Sequence, residues 1–166
     1  MNKVAVYAGS FDPVSNGHIN IIERSTKLFD KVIIGVLENF SKSYWFSKEE
    51  RIDMILGSLS PEVLSKVVII AFDGLLVDFL HIHKSAVLIR GLRAVSDYEY
   101  EMQMHLTNQT LAHNEIETVF LPSVRENLYL SSSLIKEIAK FSGDISSFVP
   151  KYVEDKITAW VAEREK

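Results

Sequence analysis

Five short apolar runs, set apart by stretches of helical spacing, constrain this chain more than any other feature. Val4 to Ala8, Val32 to Leu37, Val67 to Ala71, Ala86 to Ile89 and Thr118 to Leu121 are of strand length and almost unbroken. A strand with one face in water alternates apolar with polar residues, so an unbroken run implies cover on both faces. Between the runs, Ile52, Ile55, Leu56 and Leu59 recur at i, i+3, i+4 and i+7, and Tyr100, Met104, Thr107 and Leu111 at i, i+4, i+7 and i+11, which predicts helices. Strands alternating with helices form parallel sheets through right-handed crossovers. The expected fold is therefore α/β: a Rossmann-like, doubly wound, five-stranded parallel sheet with helices on both faces. Ser47-Lys48-Glu49-Glu50 and Ser96-Asp97-Tyr98-Glu99 have the Ser-x-x-Glu pattern of a capping box and predict two helix starts. There is no internal repeat, low-complexity tract or linker composition, so we expect one domain over residues 1–166.

Composition excludes several classes of function. A formal charge of −4 disfavours a nucleic-acid partner, which calls for a basic face. It leaves room for a small anionic ligand, because a few converging cations outweigh screened charges elsewhere. The apolar runs are too short to span a bilayer, so no membrane role is expected. The chain has no cysteine, which removes thiol nucleophiles, disulfides and thiolate metal sites. With the first strand starting at Val4, no signal peptide is expected and the predicted location is cytoplasmic.

The stretch Tyr7-Ala8-Gly9-Ser10-Phe11-Asp12-Pro13-Val14-Ser15-Asn16-Gly17-His18 follows the first strand and precedes Ile19, Ile21 and Ile22. It reads as strand, glycine-punctuated loop and helix start. At such a start the first N–H groups lack helical partners and the helix dipole favours an anion. His18 would stand in the first turn, able to donate a hydrogen bond to a phosphoryl oxygen. Taken alone, two glycines that shape turns and one half-exposed histidine explain the same residues. The stretch matches neither G-x-G-x-x-G nor G-x-x-x-x-G-K-[ST].

Ligands of open parallel sheets gather at the carboxyl ends of the strands, and the other candidates fall there. Lys42 follows the second run, Arg90-Gly91-Leu92-Arg93 the fourth, and Leu130-Ser131-Ser132-Ser133 the fifth. Two arginines around a glycine can grip an anion bidentately where the backbone comes close, or be surface residues in a turn. The three serines can cap a helix or hold a phosphate chain. Glu101 reads on spacing alone as an exposed helix carboxylate. His81 and His83 lie two apart, on different helix faces, and are not a metal pair; no metal-binding residues are assigned. His105 and His113 are taken as structural or exposed. Val153, Ile157, Trp160 and Val161 form a helical stripe that reads as a docking face, and Tyr44-Trp45-Phe46 as packing beneath a loop.

The opening stretch resembles the Gly-[Ser/Thr]-Phe-Asp-Pro-x-[Thr/Ser]-x-Gly-His signature of the nucleotidyltransferases related to class I aminoacyl-tRNA synthetases. Three further segments narrow the resemblance: Phe46 to Arg51; Ile89-Arg90-Gly91-Leu92-Arg93-Ala94-Val95 with Asp97, Glu99 and Glu101; and Tyr129 to Glu137. With Lys42 they are similar to the bacterial phosphopantetheine adenylyltransferases. Ala8, Ser10 and Ser15 stand where proline and threonines are common, and the Lys42 loop lacks a frequent proline.

The resemblance implies transfer of the adenylyl group of ATP to 4′-phosphopantetheine, giving dephospho-coenzyme A and pyrophosphate. It implies His18 as transition-state stabiliser, assisted by Lys42 and Arg93. It places Ser10, Phe11, His18, Gly91, Leu92, Arg93, Glu101, Asn127, Leu128, Tyr129, Leu130, Ser131, Ser132 and Ser133 on ATP, and Ser10, Lys42, Leu76 and Arg90 on phosphopantetheine. It further implies Mg2+, a homohexamer and feedback inhibition by coenzyme A. The chemistry suits the residue types, since a phosphate acceptor is already an anionic nucleophile, and orientation and charge stabilisation are what remain to be supplied. Two other readings stay open: a sister enzyme acting on a nicotinamide mononucleotide or a phosphorylated polyol, and a nucleotide-binding module without turnover. A tRNA synthetase is disfavoured by the length of the chain.

Overall fold

All five apolar runs are strands of one sheet. The computed structural model describes residues 3–38, 43–93 and 95–164, with backbone alone for Val95 and Ser96. The chain runs β1 (Val4–Gly9), α1 (Asn16–Leu28), β2 (Lys31–Leu37), α2 (Lys48–Leu56), α3 (Pro61–Leu64), β3 (Val67–Phe72), α4 (Leu76–Ile82), β4 (Val87–Leu92), α5 (Val95–Leu111), β5 (Glu117–Pro122), α6 (Ser132–Lys140) and α7 (Lys151–Arg164), with a short 3-10 turn at Arg125–Asn127. Strand order is β3-β2-β1-β4-β5 and every pairing is parallel. The order reverses between β1 and β4, which is where open sheets of this kind leave a crevice.

Alternate strand residues supply two cores, as the pleat requires. Ala5, Tyr7, Val32, Ile34, Val36 and Ile89 face Ile22, Met54, Ile55, Ile135, Val153 and Ile157 from α1, α2, α6 and α7. Val6, Ala8, Ile33 and Leu88 face Val77, Phe79 and Leu80 from α4 and Ala112 just beyond α5. Each fully buried side chain of this size contributes about 1.5–3 kcal/mol relative to exposure, so both layers of helices are held by the sheet. At Gly35 a Cβ would lie 2.9 Å from the Phe79 ring, and the glycine lets α4 seat against β2.

Three sequence expectations need correction. β4 runs on to Leu92, and Arg90, Gly91 and Leu92 pair with Phe120, Leu121 and Pro122, so they belong to the strand and only Arg93 lies beyond it. α5 begins at Val95, which puts Ser96 inside the helix instead of at its cap; the Ser47 box, by contrast, forms in full with Glu50. The inward face of α5 carries Glu101 and Asn108 and continues into Ala112 just beyond the helix, while Tyr100 and Leu111 are exposed, so the buried stripe sits one residue on from the expected Tyr100, Met104, Thr107 and Leu111. His105 has a partner: its Nδ1 is 3.0 Å from Thr118 Oγ1 on β5. Polar side chains that find partners on the sheet made the apolar period a poor guide to this face. The stripe on α7 does dock, through buried Val153 and Ile157.

Candidate active site

β1 and β4 pair only at Val6–Leu88 and Tyr7–Ile89, and beyond those residues they diverge. The gap is a cleft of about 430 Å3 with β1, the loop after it, the end of β4 and the start of α6 on its walls. Arg90 bridges the split, donating from Nη1 to the Ala8 carbonyl at 2.9 Å. Its Nε and Nη2 bind the two carboxylate oxygens of Glu101 at 2.7 Å each, which explains why Glu101 is buried and not an exposed helix carboxylate. Burial works against the Arg90 charge, but the hydrogen bonds and negative charge of Glu101 more than offset it, and the guanidinium is held above its ordinary range.

Two helices start at this cleft. Ser15 caps α1, and the box closes through histidine: Ser15 Oγ accepts from the His18 N–H, while the Ser15 N–H donates to His18 Nδ1 at 3.0 Å. With Nδ1 accepting, the proton of the neutral ring is on Nε2. Phe11 packs edge-on to the His18 ring at 5.1 Å and to Tyr7 at 5.5 Å. Its backbone sits at φ 50, a left-handed conformation that a bulky residue holds only when its surroundings fix it. Ser131 caps α6 by accepting from the Leu134 N–H at 3.1 Å, and Ser132 Oγ donates to the Pro13 carbonyl at 2.8 Å, tying that helix to the first loop.

Of the residues singled out from sequence, Ser10, Phe11, His18, Arg90, Gly91, Arg93, Glu101, Leu130, Ser131, Ser132 and Ser133 line the cleft. Arg93 is directed there by bonds to Asp97 at 3.0 Å and to the Leu130 carbonyl at 2.7 Å. Leu76, Leu92, Asn127, Leu128 and Tyr129 are not part of its lining: Leu76 packs against the core containing Ala8, and Asn127 lies over Gly17. A Cβ at Gly91 would come within 3.3 Å of Ile21, so this glycine also serves the packing of α1. Lys42 lies outside the described residues.

Three charged residues to which sequence reasoning gave no role support the site. The Asp12 carboxylate accepts from Phe46 N–H at 3.0 Å, from Trp45 N–H at 3.1 Å and from Lys136 Nζ at 2.8 Å. The Arg51 side chain is fully buried; its Nη1 donates to the Ser10 carbonyl at 2.8 Å and its Nε to the Ser47 carbonyl at 3.2 Å. The site therefore consists of two helix starts, an imidazole and several cations around one opening, with both carboxylates already matched. Such an arrangement favours an anion over a cation.

Tyr7 offers a pH test of this burial. Desolvation pushes its hydroxyl far above the usual phenol range, against the pull of Arg90 and Arg93. A raised acid is more protonated folded than unfolded, so its contribution is complete below about pH 10 and declines as pH rises past it. Tyr7→Phe is expected to remove that part of the alkaline loss, about 1.4 kcal/mol per pH unit above 10, in urea titrations of both proteins from pH 8 to 11. Identical slopes would show the hydroxyl to be solvated.

Fold and cleft together define a nucleotidyltransferase of the cytidylyltransferase-like type, and that family's pattern matches residues 6–138. Among solved structures, a bifunctional NMN adenylyltransferase/ADP ribose pyrophosphatase from Francisella tularensis superposes with a TM-score of 0.70 at 17% identity, over 99% of this chain and 53% of that one. The nicotinic acid mononucleotide adenylyltransferase of Plasmodium falciparum gives 0.69 at 13% identity, over 99% and 96%. Sequence is more discriminating. The phosphopantetheine adenylyltransferase of Dictyoglomus turgidum is 55% identical, over 92% of this chain and 94% of its own. That of Clostridium botulinum is 50% identical over 91% and 93%. The chain belongs to the phosphopantetheine adenylyltransferase family.

Proposed function

We infer that this enzyme transfers the adenylyl group of ATP to 4′-phosphopantetheine, releasing pyrophosphate and forming dephospho-coenzyme A. The carrying observation is the closed box at α1: with Nδ1 held by the Ser15 N–H, His18 presents Nε2–H where charge builds on the α-phosphoryl oxygens. The acceptor phosphate attacks the α-phosphorus, the bond to the β-phosphate oxygen breaks, and the electron pair leaves with pyrophosphate. No side chain has to take a proton. The protein instead overcomes the repulsion between two anions, through the N–H groups at the starts of α1 and α6, His18, Arg93 and Lys42.

Family membership supports assigning ATP to Arg93 and Ser131 to Ser133, and the acceptor to Ser10, Lys42 and Arg90. Asp12 and Glu101 are both engaged by their own partners and no cluster of metal-binding side chains lies among the described residues; magnesium, when bound with ATP, would supply shielding for the charge of the triphosphate. On α5, Tyr98, Tyr100, Leu106 and Leu111 are exposed, Tyr98 and Leu106 on one flank of the buried stripe and Tyr100 and Leu111 on the other, apolar surface suited to burial against other copies, in line with a homohexamer. Coenzyme A shares the pantetheine and adenylate halves of the product and is expected to compete for the cleft. No described helix is long and apolar enough to cross a membrane, which accords with work in the cytoplasm.

Pyrophosphate release decides the matter. With ATP and magnesium, phosphopantetheine should give turnover and nicotinamide mononucleotide should give none. Release with the mononucleotide alone would move the chain to a sister activity, and ATP binding without release from either would make it a nucleotide-binding module.

A further inference from the structure

The chain has two tryptophans, 115 residues apart, and they stack on one another. The rings of Trp45 and Trp160 lie 3.9 Å apart with 5° between their planes. The contact is also directional, because Trp160 Nε1 donates to the Trp45 carbonyl at 2.7 Å. The N–H of the same Trp45 donates to the cleft carboxylate of Asp12. Both backbone groups of Trp45 are thus tied, one to the loop after β1 and the other to α7. Immediately before it, Ser43 and Tyr44 line the cleft, and the Ser43 carbonyl accepts from Lys136.

Trp160 itself stands on a well-anchored helix. Val153 and Ile157 of α7 are buried in the first core. Tyr152 Oη donates to Asp53 of α2 at 2.8 Å, and Lys156 Nζ pairs with the same carboxylate at 2.9 Å. The Arg164 guanidinium lies 3.9 Å from the Trp160 ring centroid. The indole lines no part of the cleft, yet it fixes a segment that does. We propose that Trp160 is a positioning residue: from α7 it holds Trp45 so that Ser43 and Tyr44 form the cleft wall on the β2 side, where the acceptor binds. The proposal deepens the adenylyl-transfer reading and rests on it for the identity of that acceptor.

The test compares the full-length wild type with Trp160→Phe and Trp160→Ala, after far-UV circular dichroism shows that each is folded. In both variants Trp45 is the sole tryptophan, so its emission reports its surroundings with no substrate present. In Trp160→Ala the emission should shift to the red, and the KM for phosphopantetheine should rise about tenfold while kcat and the KM for ATP change by less than about twofold. Trp160→Phe keeps a stacking ring without the N–H donor and should fall between. Unshifted emission in Trp160→Ala, an unchanged acceptor KM, or equal losses for both substrates would each overturn the proposal. If Trp160→Ala does not fold, Trp160→Phe decides on the same criteria. Absence of pyrophosphate release by the wild type would instead sink the functional reading, and the emission shift would still show whether Trp160 holds the segment.

Discussion

His18→Ala is expected to fold, to keep its affinity for ATP and to lose a hundred- to thousand-fold in kcat, about 3–4 kcal/mol of transition-state stabilisation. The size follows from what the side chain does in each state. Its Nδ1 accepts from the Ser15 N–H, so Nε2 carries the ring proton, which in the proposed reaction is donated to phosphate. That bond strengthens as charge accumulates on the α-phosphoryl oxygens and contributes little while ATP merely sits in the cleft. The structural cost is separate and small. Losing one bond of the α1 cap costs about 1 kcal/mol, or roughly 2–4 °C in Tm for a chain of this size. ATP affinity by calorimetry, set against single-turnover pyrophosphate release, separates the two effects. Near-normal release would remove His18 from the chemistry, and parallel loss of affinity and rate would make it a ground-state ligand.

The layout was legible in the sequence wherever a local signal carried it. The strands were visible as nearly unbroken apolar runs, in β1 and β2 because both faces are buried and in the edge strands β3 and β5 although they are only partly buried, and α1 because its glycine and apolar spacing agree. The end of β4 was not, since Arg90 and Gly91 carry no apolar signal while their backbone pairs with β5. The inward face of α5 failed for a related reason: Glu101 and His105 are satisfied by Arg90 and Thr118, partners distant in the chain. Asp12 and Lys136 meet across 124 residues, and no spacing rule reaches so far. Arg51 left a usable trace. It precedes Met54 and Ile55 by three and four residues, and all three are buried, so a charge on the apolar stripe of α2 already pointed to a buried guanidinium that holds the Ser10 carbonyl in place.

Glu101→Ala should destabilise the protein by about 3 kcal/mol and lower Tm by roughly 6–12 °C. The mutation leaves the Arg90 charge without its bidentate partner while the guanidinium stays tethered to the Ala8 carbonyl. Removing one member of a buried pair exposes the survivor to the full desolvation penalty, whereas removing both with apolar residues of similar volume is often close to neutral. The lower end of the usual range applies, because the Arg90 side chain retains 27% exposure at the cleft and Glu101 only 11%. Arg90→Met with Glu101→Leu should therefore be more stable than Glu101→Ala, and a double-mutant cycle should give a coupling of roughly 2 kcal/mol or more. Activity should not follow stability. The double variant lacks the cation that bridges the split between β1 and β4, and its turnover should stay low although its Tm recovers. Additive single effects in urea titrations would show the pair to be solvated, and recovered turnover in the double variant would show that the cleft needs neither charge.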